Sequence, residues 1–592
     1  MKSQIVPFIL CLSCVVLWHH VIFGEYREYV TRQTLYGTIR GVVTNRLVGE
    51  HVEQYLGVPF AAPPKHSLRF ERPQRPRPWK SVLDTLELPP ACPQMHDFQY
   101  VHQHYPDFWN EDEDCLYLNI FVPLNTSTNS PLPVLLYIHG GSNEVGMGGM
   151  FDGDILAGFG DIIVINFNYR LGAFGFFGAK EEGLEGNYGF LDQVAAMRWV
   201  NGNIHFFGGD PNRVTIDGHS AGAADVGFHL ISPLTKGLFK YAVIQSGSPL
   251  AFWAMAKSSW KKGYNVNLTC QDYWCPSGSN SVDYKQFLKD LPMTQIRFIP
   301  GRTTASNLIT FPAVVDGYYL KERPEMTFQT GRFHGEAYLM SFTRDEGSEH
   351  AEVLLEQYEK KEEFSQEMFK KVLQLYKSAF PNVCGLTELI LHEYSNWDYL
   401  RRDNESLLNF IEMESDLVFV APMINMANMM AEWTRRLYLF SFEHTSHLAP
   451  GPKWKGVPHG RDLFYLFGAP LVGHPLYTYS ETDKQASRTV MTLWSNFVKH
   501  GFLTLDGETP YLIYNTSTRS INRLLLDEEK LNIQAHPNFK PRKMAFWNTF
   551  LPLMDESGCI CSASSLSLHI HSVLLAISLV LAVCCTRIGL ES

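Results

Sequence analysis

Val214-Thr215-Ile216-Asp217-Gly218-His219-Ser220-Ala221-Gly222 is the stretch on which the reading of this chain turns. It is a short β-rich run, then Gly-x-Ser-x-Gly, then a segment with apolar residues at helical spacing. A strand that passes directly into a helix through a serine needs a turn so tight that bulky residues cannot flank it. Gly218 and Gly222 meet that need, and such a turn pushes the Ser220 hydroxyl into the open. A helix that starts at the serine aims N–H groups and the positive end of its dipole at developing negative charge. The five-residue pattern alone arises by chance. Its place between a strand and a helix makes Ser220 a candidate nucleophile.

Further runs extend the same pattern. Val134 to Ile138, Ile162 to Ile165, Ala242 to Ile244 and Leu437 to Phe440 are continuously apolar, which suits strands buried on both faces. Asp192 to Val200 carries Val194, Ala195, Met197 and Trp199 at helical spacing. The alternation predicts an α/β chain, with a large mostly parallel central sheet flanked by helices. Arg72 to Trp79 is proline-rich and irregular, and Lys360 to Glu363 reads as a solvated helix face. No repeat or linker interrupts the pattern, so residues 25–555 are expected to form one catalytic domain.

Of the 592 residues, 45% are hydrophobic and 19% charged, which fits a folded chain with a sizeable core. A formal net charge of -11 argues against nucleic acid as a partner, since phosphate binding needs basic patches.

The two ends bear on location. Residues 1–24 begin with Lys2, continue apolar and reach Gly24, the form of a secretory signal. Residues 556–592 hold a small-residue cluster (Ser562 to Ser565), a short spacer, and an apolar run from Val573 to Cys585. That order describes a lipid-anchor (GPI) signal, with Ser562 as the expected attachment residue. The competing reading is a single membrane helix with Arg587 just inside. The run is short for a span, which needs about 20 residues. Both readings put the body of the protein on the extracellular face of the plasma membrane, tethered to it through the C-terminal anchor.

The 11 cysteines agree with an oxidising compartment. Cys11 and Cys14 fall in the leader, and Cys584 and Cys585 in the tail. Cys92, Cys115, Cys270, Cys275, Cys384, Cys559 and Cys561 remain, with no double CxxC zinc pattern, so no metal site is expected. Asn125, Asn267, Asn404 and Asn515 stand in Asn-x-Ser/Thr tripeptides and are candidate glycan sites.

A serine hydroxyl needs a base, and the base an orienting acid. In α/β-hydrolases the chain order is Ser, then Asp or Glu, then His. Too many acids and histidines follow Ser220 for order alone to choose.

A family resemblance does choose. Gln54–Pro64 (QYLGVPFAAPP), Glu113–Ile120 (EDCLYLNI), Tyr137–Gly141 (YIHGG), Asn168–Gly175 (NYRLGAFG), Gly186–Asp192 (GNYGFLD), Phe207–Pro211 (FGGDP) and Gln245–Ser248 (QSGS) stand around the serine motif. In that order the chain resembles the type-B carboxylesterase and cholinesterase family, from about residue 30 to 550. The resemblance implies the α/β-hydrolase fold and hydrolysis of a small-molecule carboxylic ester through an acyl-enzyme on Ser220, with no cofactor. By motif it implies Glu346 as the acid, with Asp345 as the fallback, and His459 as the base. It implies an oxyanion hole from the N–H groups of Gly141, Ser142 and Ala221. It also implies a Cys92–Cys115 disulfide. Cys270 with Cys275 is expected to close a shorter loop than the family's second pair. Cys384 is left to pair with Cys559 or Cys561.

Three departures are visible. The family's His-Gly-Gly-Gly is here His139-Gly140-Gly141-Ser142, as in neuroligins, the adhesion proteins of the same superfamily. That keeps a cell-surface protein partner, or a homodimer, in play. Cholinesterases carry Glu before the nucleophile, where this chain has His219. An imidazole there does not attract choline, so His219 reads as a structural or substrate-contact residue whose side chain points away from the hydroxyl. The choline-binding Trp of cholinesterases is matched only loosely by Trp109, six residues before Cys115. Choline esters therefore stand as an alternative substrate.

Overall fold

The computed structural model describes residues 28–94, 99–102, 105–106, 108–124, 130–180, 183–256, 283–299, 311–357, 364–395, 405–527 and 530–557. The expected leader, anchor segment and Ser562 lie outside these residues. So do Cys270, Cys275, Asn125, Asn267, Asn404 and Lys360 to Glu363.

Twelve strands follow one path through the main sheet, and a short strand at Leu83–Asp84 pairs beside it. They are β1 (Tyr29–Gln33), β2 (Thr38–Thr44), β3 (Val52–Pro59), β4 (Tyr117–Pro123), β5 (Leu132–Ile138), β6 (Ile163–Phe167), β7 (Gly209–His219), β8 (Tyr241–Gln245), β9 (Ala337–Thr343), β10 (Leu437–Phe442), β11 (Ile521–Asp527) and β12 (Lys530–His536). Their order is β1-β2-β3-β4-β6-β5-β7-β8-β9-β10-β11-β12. Pairing is parallel throughout from β6 to β11. It is antiparallel at both ends. This is the mostly parallel, helix-flanked sheet of an α/β-hydrolase.

The continuous apolar runs are explained by the two cores they separate. On β5, Val134, Leu136 and Ile138 enter one hydrophobic cluster, and Leu135 and Tyr137 the other. On β9, Tyr338, Met340 and Phe342 face the first, and Ala337 and Leu339 the second. Side chains of a strand alternate between faces, so a strand covered on both must be apolar throughout. Helices α1 (Tyr188–Asn203) and α2 (Ala221–Ile231) supply the first core. Helices α3 (Arg461–Leu466) and α4 (Glu481–His500) supply the second.

β7 breaks the pattern. Val214 and Ile216 enter the first core, but Thr215, Asp217 and His219 alternate with them, toward the opposite face, and all three are buried. Buried polar groups inside a strand need partners, and those of Asp217 and His219 lie at the carboxyl end of the sheet, with Gln245 and His459.

In open parallel sheets, sites form beyond the carboxyl ends of the strands. Here β5 ends at Ile138 and runs into His139-Gly140-Gly141. β7 ends at His219, β8 at Gln245, and β9 at Thr343, three residues before Glu346. Neighbouring strand ends thus deliver the loop, the serine and the acid.

Candidate active site

Ser220 stands between β7 and α2 with φ 59° and ψ −121°, a conformation that side chains rarely adopt. Its environment enforces the strain. A Cβ on Gly218 would strike the Gly222 carbonyl, and one on Gly222 would strike the carbonyl of Ile138. The Ser220 N–H donates to the Gln245 carbonyl (2.8 Å), which ties the turn to β8. The Ser220 carbonyl accepts from Ala223 and Ala224 and starts α2. Ala221 is the first helical residue, where an N–H has no intrahelical acceptor.

Glu346 is 1% exposed. Its Oε1 accepts from the Ser246 hydroxyl (2.5 Å) and the Thr343 N–H (2.7 Å). Its Oε2 lies 2.5 Å from His459 Nδ1. Oε1 already accepts from two donors and Oε2 faces Nδ1, so this contact places the ring proton on Nδ1 and leaves a lone pair on Nε2. Burial lowers the His459 pKa, but the surrounding carboxylates, Glu346 first, together outweigh it, and the net shift is upward. The other face of the imidazole is packed. Phe419 stacks on it at 4.4 Å between ring centroids. Asp345, the fallback acid, instead accepts from Arg344 and from the Val457 N–H.

The His219 ring lies 4.5 Å from that of His459 and is 1% exposed. It is packed against the imidazole rather than presented to an open pocket. Trp109 is 66% exposed and meets His102 edge-on at 4.2 Å.

The loop after β5 carries consecutive positive φ angles at Gly141 (104°), Ser142 (57°) and Asn143 (57°). Side chains beneath it hold this shape. Asn143 donates to Asp225 Oδ1 of α2 (3.1 Å) and accepts from the Tyr169 hydroxyl (3.0 Å). Gln193 of α1 donates to Asp225 Oδ2 (2.7 Å). Gln193 Oε1 pairs with His229 Nε2 (2.6 Å), and His229 Nδ1 with the Tyr319 hydroxyl (2.9 Å). Burial raises Asp225 to about 7, against its two amide donors. Burial lowers His229 to about 3, so it stays neutral. Every member of this chain has a partner.

Across the sheet, Gln245 lies between two buried acids. Its amide is 3.3 Å from Asp462 Oδ2 at one end and 2.8 Å from Asp217 Oδ1 at the other. An amide has donors at one end only, so the acid that meets its oxygen must be protonated. Burial, then Asp462, pushes Asp217 well above the carboxylate range. Burial, then Glu346, raises Asp462 to about 7.

The roles of Ser246, Phe419, Asn143, Asp225, Asp217 and Asp462 did not emerge from the sequence. Only Asp217 left a signal, as an acid in an otherwise apolar strand. Among the described residues, no group of three His, Cys, Asp or Glu side chains is arranged to hold a metal. Cys92 and Cys115 are disulfide-bonded, with Cα atoms 5.0 Å apart. Cys384 is also disulfide-bonded. Asn515 is partly buried, and its side-chain oxygen accepts from the N–H groups of Ser517 and Thr518.

Comparison with known proteins adds an independent finding. A sequence model of the carboxylesterase family matches residues 28–547. The chain is 33% identical to an acetylcholinesterase of Bungarus fasciatus over 563 residues, covering 92% of this chain and 89% of that protein. It is 31% identical to neuroligin-2 of Mus musculus over 592 residues, covering 89% and 68%. Neuroligin-2 of Homo sapiens matches at 31% over 590 residues.

Proposed function

Since the chain belongs to the carboxylesterase family, we propose that it is a serine esterase that acts on carboxylic esters outside the cell. One observation carries this reading: the buried Glu346 carboxylate meets His459 Nδ1 at 2.5 Å, beside the strained serine turn.

In this mechanism His459 Nε2 takes the Ser220 proton as Oγ attacks the ester carbonyl. Glu346 fixes the tautomer and stabilises the imidazolium that forms. The N–H groups of Gly141, Ser142 and Ala221 bind the oxyanion, each contributing roughly 3–4 kcal/mol. His459 returns the proton to the leaving alcohol. Water, activated by the same base, then releases the acid from the acyl-enzyme.

The disulfides support an exported chain. A leader over residues 1–24, a C-terminal tether at Ser562 and glycans on Asn515 and its fellow sites belong to the same proposal. Among the described residues, no helix is long and apolar enough to cross a membrane.

A second reading, adhesion through a protein partner, is favoured by the Gly-Gly-Ser loop and by the likeness to neuroligin-2. The experiment that separates them is hydrolysis of a short-acyl nitrophenyl ester by the full-length protein, beside Ser220→Ala. Turnover that vanishes in the variant establishes the esterase. A folded protein with no turnover, and no labelling of Ser220 by an organophosphate, puts adhesion first.

A further inference from the structure

Helix α1 has apolar residues on all sides, yet part of it faces outward. Leu191, Val194, Ala195, Arg198 and Gly202 are spaced as one stripe, and all line a cleft of about 470 Å³. The opposite wall comes from Leu35 and Tyr36, in the β1–β2 turn, and from the irregular segment at Arg72 to Arg75. The walls are tied together at the helix end, where the Leu35 N–H donates to Asn203 Oδ1 (2.8 Å). The volume is that of a site for a small organic molecule.

Its chemistry is uneven in an informative way. The floor is apolar: Val194 is 1% and Trp199 3% exposed, and Leu35, at 61%, overhangs the rim. Three arginines line it. Arg72 is already engaged, by Glu185 at 2.9 Å and over the Tyr318 ring at 3.6 Å. Arg75 and Arg198 have no carboxylate partner among the described residues; Arg198 reaches only the Leu234 carbonyl at the cleft wall, at 3.4 Å. The buried Trp199 Nε1 has no hydrogen-bond acceptor there either. The cleft therefore offers spare donors around an apolar floor and supplies no anion of its own.

We propose that this cleft is a second ligand site, separate from the serine, for a small monocarboxylate with an apolar body. The carboxylate bridges Arg75 and Arg198, and the body lies on Val194 and Trp199. Arginine's fork suits a carboxylate, and a charge-assisted pair over an apolar floor gives both affinity and orientation. The inference stands whether or not the serine is catalytic.

The test is calorimetric titration of the full-length protein with 2-naphthoate, beside neutral 2-naphthamide. Saturable binding below about 1 mM is expected for the acid, with the amide at least about tenfold weaker. Arg75→Ala with Arg198→Ala should raise the naphthoate Kd at least about tenfold while the melting temperature holds, because both side chains are exposed. Val194→Trp should abolish binding by filling the floor. Absent binding, equal affinity for acid and amide, or a Kd unchanged in the double arginine variant would each overturn the proposal.

Discussion

Two polar clusters flank the serine turn, one on each face of the sheet, and they are built on different principles. Beneath the Gly141–Asn143 loop, Asn143, Asp225, Gln193, His229 and Tyr319 form a chain in which each donor meets an acceptor. On the other face, Asp217 and Asp462 compete for the one amide of Gln245. The first cluster fixes a shape. The second holds more acid than its amide can satisfy, so it must hold a proton. Each holds a carboxyl raised to about 7, Asp225 in the first and Asp462 in the second, but only in the second does the arrangement of the groups itself demand a proton.

The largest effect expected bears on the side that holds the shared proton, next to Glu346. Glu346→Gln should lower kcat by about 10³- to 10⁴-fold with little change in melting temperature, because an amide can present its N–H to Nδ1 and favour the wrong tautomer. The acid limb of the residual activity should move to lower pH, since the carboxylate that raises His459 is gone. An unmoved limb would mean that another group sets that titration.

Asp225→Ala strikes the other side. It strands the amide donors of Asn143 and Gln193, each costing about 1–3 kcal/mol, so denaturant unfolding should show a loss of about 3 kcal/mol. A loss below about 1 kcal/mol would show that water replaces the carboxyl, and the contrast between the clusters would fail.

Asp462→Asn should do the reverse. A carboxyl raised to about 7 when folded binds a proton that the unfolded chain has released. Its favourable contribution is complete below about pH 4 and is lost as pH rises through about 7. Relative to wild type, the variant should therefore gain stability across that window, by about 2 kcal/mol with Asp217 sharing the load. A flat difference would remove the shared proton. The smallest effect is expected for Ser142→Gly. It relieves a positive φ but adds unfolded-state freedom, so stability should move by less than about 1 kcal/mol. A larger gain would mark the loop as strained by its serine.

The strands of the sheet's centre were legible because apolar runs and glycine spacing are local signals, whereas their order in the sheet was not. Val134 to Ile138 and Leu437 to Phe440 could hardly be anything but strands buried on both sides. Ser220 was legible for the same reason. Glu346 and His459 were not, since each is one charged residue among many until a motif singles it out. Asp225, Gln193 and Asp462 lay beyond reach, because their meaning is a meeting between distant segments. Asn143 is Asp225's partner across 82 positions, and Gln245 lies 217 positions from Asp462. His219 illustrates the limit: its neighbour in sequence is the serine, but its neighbour in space is His459.

The dipeptide Gln245-Ser246 anchors more than one part. Its first carbonyl holds the Ser220 N–H, its first side chain sits between the two acids, and its second hydroxyl holds Glu346. Nucleophile and acid therefore share one mount, as two mirrors share an optical post, and the Thr343 N–H gives the acid a second anchor on the neighbouring strand. A small thermal shift of β8 carries both together and leaves their separation almost unchanged. Common displacement is harmless to a proton relay, and only differential displacement detunes it. Alignment here thus depends less on the stillness of the sheet than on the stiffness of two residues at the carboxyl end of one central strand.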